Sequence, residues 1–220
     1  MMFFSCNVAF SSLPPFLPTI IKDMRYSAST SQALSAPPYL FAFIVVILTT
    51  WASDKRKVRS PFLIFHSLLG AFGYAWLAFS GYMRWPSIVR YAGTFAAAAG
   101  FFSAVALTIT WTMDNRHAAE GKGTGVALLN IIGQLGPLVG TRLYPKDDGP
   151  YYIKGMTICA GFMLAVGVLT LILWYILRRE NDRLNIQTAY QALAEAEDTG
   201  HSRLEDIKIS DYNNKILNIL

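Results

Sequence analysis

An all-α integral membrane fold with six transmembrane helices is predicted for this 220-residue sequence by three observations. Hydrophobic residues make up 53% of the chain and charged residues 15%, against about 25% charged in soluble domains. Fourteen of the 33 charged side chains fall from Arg178 onward, which leaves too few earlier to wet a soluble globule. Six windows hold no Asp, Glu, Lys or Arg: 1–21, 26–53, 61–83, 91–113, 123–141 and 155–177. Each is 19 to 28 residues long, and about 20 helical residues cross a ~30 Å hydrocarbon core. Barrel strands would alternate polar and apolar over about ten residues, and nothing here does. Helices of a soluble protein would carry a polar stripe, which residues 62–79 and 156–177 lack.

The spans follow in order, at about 1–21, 34–53, 61–83, 91–113, 123–144 and 155–177, with a solvated tail from 180 to 220. The first holds Asn7, Ser11 and Ser12, then Pro14, Pro15 and Pro18. These prolines either bend and open the helix near its outer end or simply terminate it. The second opens at Ser35-Ala36-Pro37-Pro38-Tyr39, where prolines suit a first helical turn; Tyr39 is an interfacial anchor or a gate. The third carries His66, the one titratable candidate for a transport role at membrane depth, placed more simply to cap backbone or touch headgroups. The fourth has a small-residue face, Gly93 and Ala96 through Gly100, suited to close helix contact. Trp111 near its end reads as an interface-belt aromatic. In the fifth, Asn130 and Gln134 lie four apart on one face, and two amides in lipid are costly unless they face protein or water. They mark a transport pathway or an interhelical hydrogen bond. Gly136 and Gly140 form a GxxxG pair that admits another helix.

Basic residues orient the chain. Lys55, Arg56, Lys57, Arg59, Arg116, Lys122, Arg178, Arg179 and Arg183 lie on one side, and Lys22, Arg25, Arg84, Arg90, Arg142, Lys146 and Lys154 on the other. The dense run from Asp54 to Arg59 decides the direction, placing that loop and both termini in the cytosol. The sequence pI of 9.2 then needs no nucleic-acid partner. No basic residue precedes the first apolar stretch, so no cleaved signal peptide is expected. Cys6 and Cys159 fall inside spans as small packing residues. Neither a metal site nor a cofactor is expected. Residues 184–194 have the pattern of a short amphipathic helix, which Asp198-Thr199-Gly200 should end.

Several segments resemble the major facilitator transporters. Phe16-Leu17-Pro18-Thr19-Ile20-Ile21, Ser35-Ala36-Pro37-Pro38-Tyr39 and Asp54 with its basic run are similar to that superfamily's seventh and eighth helices. The run from Asn130 to Pro137, with Leu143-Tyr144-Pro145, Gly149-Pro150-Tyr151-Tyr152 and Gly155, is similar to the eleventh helix and following loop. The nearest group is the anion:cation symporters of the allantoate/nicotinate permease type, and Glu180-Asn181 and Asp211 to Asn214 also fit it. The basic loop resembles the motif G-x-x-x-D-R-x-G-R-R, with Asp54 at the Asp and Arg59 at the last Arg. Thr50, Lys55, Lys57 and Val58 depart from it. The resemblance implies that Asp54 caps the positive end of a neighbouring helix and helps close the cytosolic side.

By this resemblance the chain is the C-terminal half of a twelve-helix carrier, two inverted three-helix repeats. It implies transport of a small organic anion such as a vitamin or nitrogenous carboxylate, by alternating access and coupled to protons, in the plasma membrane. The first and fourth spans then face the pathway, and the second and fifth close the gap to a missing N-terminal six-helix half. That half comes from the same gene or a separate chain, and a truncated gene, a split transporter and an excised half all fit. Asn7, Tyr39, Asn130 and Gln134 are the pathway candidates; Asp54 and Arg59 are the gating candidates. The competing reading is a non-transporting scaffold or regulatory fragment that docks on another membrane protein. An enzyme is not expected, because no catalytic grouping converges at one depth.

Overall fold

The computed structural model describes residues 1–23, 26–115 and 119–198. Arg25, Arg116 and the tail residues Asp211 to Asn214 lie outside the described residues. Within them are seven α-helices: α1 (Met2–Asp23), α2 (Ala28–Arg56), α3 (Ser60–Tyr82), α4 (Ser87–Asp114), α5 (Ala119–Gly133), α6 (Gly136–Gly140) and α7 (Ile153–Asp198). A short 3-10 turn, Lys146–Asp148, precedes α7. Taking α5 and α6 together, six segments are long and apolar enough to cross a membrane.

Helix α1 runs through the centre and touches α2, α4, α5, α6 and α7. Helices α2 and α5 each lean on both α1 and α4, while α3 packs along α4 and α7. Lipid tails are as apolar as leucine, so association rests on close van der Waals fit. The small-residue face of α4 supplies that fit. A Cβ on Gly100 would land on the backbone of Gly70 in α3 and lie 2.8 Å from the His66 carbonyl oxygen. Around this contact, Tyr74, Leu77, Phe101, Leu107 and Met163 are fully enclosed. Cys6 and Cys159 are free and buried.

Four local features refine the expected ones. All three prolines of α1 lie inside one continuous helix that runs on to Asp23, so they do not terminate it. Helix α2 starts ahead of its prolines, because the Ser27 side chain accepts from the Thr30 N–H at 3.2 Å and caps an earlier turn. Trp111 is 1% exposed, so it belongs to the protein core and not to an interfacial belt. Helix α7 continues unbroken past the charged residues at 178–183 to Asp198.

Candidate functional site

Three seams hold the candidate residues, two of them on α1. The first joins α1 to the junction of α5 and α6. Pro137 has no N–H to offer the Gly133 carbonyl, and the ladder loosens there into a 3.3 Å Leu135 N–H to Ile132 carbonyl bond. Glycines let α1 press against the loosened turn. A Cβ on Gly136 would sit 2.7 Å from the Phe4 carbonyl oxygen, and one on Gly140 would overlap the Ser11 hydroxyl. This is the close approach that the GxxxG pair predicts. Asn7 lies in the same seam, buried, its Nδ2 donating to the Phe3 carbonyl at 2.9 Å. Asn130 and Gln134 are exposed. Asn130 Nδ2 donates along its own helix to the Val126 carbonyl at 3.0 Å. Among the described residues neither amide reaches another helix.

The second seam joins α1, α2 and α4. Pro18 leaves the Pro14 carbonyl without its helical donor, and the Tyr39 hydroxyl donates to that oxygen at 3.3 Å. Pro38 does the same to Leu34, whose carbonyl accepts the Tyr91 hydroxyl at 2.7 Å. Both tyrosines therefore tie a proline-interrupted helix to its neighbour. Tyr39 and Phe10 also meet Phe102 edge-on, with centroids at 6.1 and 5.6 Å. Phe10 and Pro15 line the open side of α1 here. Tyr91 was not among the residues singled out from sequence. The signal lay in the second proline pair, which demands a donor from elsewhere.

The third seam is the basic loop. Arg59 stands at the N-cap of α3, with Nε donating to Asp114 Oδ2 at 2.9 Å and Nη1 to Ser53 Oγ at 3.2 Å. Nη1 also pairs with Asp54. One guanidinium thus joins the ends of α2, α3 and α4. Burial opposes the Arg59 charge, but the hydrogen bonds to Asp114 and Asp54 outweigh it and raise its pKa above the ordinary arginine value. Asp54 thus pairs with the residue at the N-cap of α3. Asp114, at the negative end of the α4 dipole, gains a compensating cation. It escaped the sequence reading because only the fold brings residue 114 to residue 59.

His66 is buried between α2 and α3. Its Nδ1 faces the Phe62 carbonyl at 2.9 Å, so Nδ1 carries the hydrogen and Nε2 accepts from Thr49 at 3.0 Å. It therefore caps backbone, one of the two roles expected of it. Deeper still, Ser12 Oγ meets Cys159 Sγ at 3.1 Å and the Tyr74 hydroxyl donates to the Ala9 carbonyl at 2.8 Å. Among the described residues no group of three His, Cys, Asp or Glu side chains could hold a metal ion.

Comparison with known proteins places this geometry in context. The family described as Major Facilitator Superfamily matches residues 1–141. An MFS-type transporter, cnsO, of Penicillium expansum is 29% identical over 176 residues, 78% of this chain and 34% of that protein. The high-affinity nicotinic acid transporter of Saccharomyces cerevisiae is 27% identical over 180 residues, 82% of this chain and 33% of the relative. A putative tartrate transporter of Agrobacterium vitis is 27% identical over 187 residues, covering 79% and 38% of the two chains. The chain spans about a third of the length of the curated relatives it matches. No solved structure matches it.

Proposed function

Because the chain belongs to the Major Facilitator Superfamily, we propose that it forms the C-terminal half of a secondary transporter for a small organic anion. The observation that carries this reading is the uneven burial of the spans. Only 22% of the apolar window is buried in α2 and in the α5–α6 span, against 56% in α1 and 61% in α4. Two flanking helices left open beside a packed centre fit a second six-helix half lying across them. The amides of Asn130 and Gln134, exposed on one of those helices, then face the space between halves, where polar groups replace a substrate's hydration.

The reading extends to mechanism. Asn7 holds the α1 side of the pathway, and Tyr39 holds α1 to α2 at one end. Arg59, with Asp54 and Asp114, ties three helix ends at the other and must loosen for that side to open. Alternating access is then rocking of one half against the other around a central site. No Asp, Glu, Lys or Arg lies inside the six windows, so the cation that pairs with the substrate and the proton carrier belong to the other half. Nicotinic acid and tartrate, named for two relatives, are both carboxylic acids, which supports an anion as cargo; proton symport is the coupling proposed with it. The basic loop and both chain ends lie in the cytosol, and the membrane is the plasma membrane.

Uptake tests it. In cells expressing this chain with a six-helix N-terminal half, labelled nicotinate and tartrate should accumulate faster at acidic external pH. Asn130→Leu should abolish that uptake at unchanged surface expression. Uptake of neither acid, nor of any other organic anion screened, would leave the docking role of a non-transporting fragment as the better reading.

A further inference from the structure

We infer that the groove between α2 and α3 binds an anionic glycerophospholipid, with an acyl chain between the helices and the net negative headgroup on Arg56. The groove is open to the outside, has a volume of about 480 Å3 and is walled by Leu48 and Ala52 of α2 and Phe62 and Phe65 of α3, a size that suits a bound ligand. Its floor offers no free polar group, because Thr49 and His66 bond to each other at 3.0 Å. Such a surface takes hydrocarbon. At the mouth stands Arg56, its guanidinium 5.8 Å from the centroid of the Phe62 ring. Among the described residues Arg56 forms no ion pair, since Arg59 takes both nearby carboxylates, Asp54 and Asp114. An uncompensated cation therefore sits at the polar end of an apolar slot. Lys55, 5.1 Å from the centroid of the exposed Trp51 ring, marks the same level as the membrane interface, where such aromatic rings settle. Basic pockets between membrane helices select lipid phosphates in this way. The inference needs only that these helices cross a bilayer; it does not depend on transport.

The test is native mass spectrometry of the full chain released from mixed micelles with equal dioleoylphosphatidylserine and dioleoylphosphatidylcholine. One basic residue at the surface is worth about 1 kcal/mol, or about a five-fold preference for the anionic lipid. Arg56→Gln should erase that preference, Arg56→Lys should keep most of it, and Lys146→Gln should leave it intact. Ala52→Trp, which fills the slot, should lower retention of both lipids, and Leu48→Trp at the exposed rim is a second filler should the first fail to fold. Equal retention of the two lipids by the unaltered chain, an unchanged preference in Arg56→Gln, or undiminished retention in a folded filler would overturn the assignment.

Discussion

Helices α4 and α5 are both apolar enough to cross a membrane, yet they occupy opposite positions in the packing. In α4, glycine and alanine bring the backbone of α3 into direct contact, and its larger side chains close the core. The α5–α6 span buries little beyond its own glycines: Gly125, Gly133, Gly136 and Gly140 are enclosed, while Leu128, Ile131, Leu135 and Leu138 stay exposed. Hydropathy reports that a segment avoids water. Side-chain size, position by position, reports whether it meets protein or something outside the chain.

Substitutions should separate the two helices by magnitude. The largest effect is expected for Gly100→Ile, which forces a branched side chain into the Gly70 backbone. Overpacking of this kind costs about 3 kcal/mol, seen as a lower unfolding temperature in detergent. A variant as stable as the parent would mean that α3 and α4 do not touch there. Tyr91→Phe comes next. It leaves the Leu34 carbonyl without its donor, at about 1.5 kcal/mol, and should loosen α2 from α4 as increased hydrogen exchange around residue 34. If exchange there is unchanged, the tyrosine is not the clamp.

Smaller effects are expected where solvent screens the contact. Arg59→Gln should cost about 1 kcal/mol, and a double-mutant cycle with Asp114→Asn should recover most of that as coupling. Independent effects of the two substitutions would separate Arg59 from Asp114. The smallest change in stability, within about 0.5 kcal/mol, is expected for Asn130→Leu on the exposed face of α5. A large destabilisation would place that amide inside a packed contact and remove it from the proposed pathway.

The candidate site was legible in part. Gly136 and Gly140 admit another helix, as their spacing suggested; that this helix is α1, bringing Asn7 into the same seam, was not legible. The prolines carried a further message, because each one deletes a donor and implies an acceptor in need of another. Sequence alone could not say that Tyr39 would serve Pro14 and Tyr91 would serve Leu34, since those pairs lie 25 and 57 residues apart. Asp54 and Arg59 share a loop and were visible together; Asp114 completes their cluster from 55 residues beyond Arg59.

By itself the sequence determined that six segments are long and apolar enough to cross a membrane, because charge cannot be hidden in hydrocarbon at any fold's convenience. Tertiary structure decided which side chains meet protein. Trp111 went to the core and Trp51 to the outside although both sit near helix ends. A lipid tail and a protein interior are nearly equal solvents for an apolar ring, so only the fit of one helix against another distinguishes them.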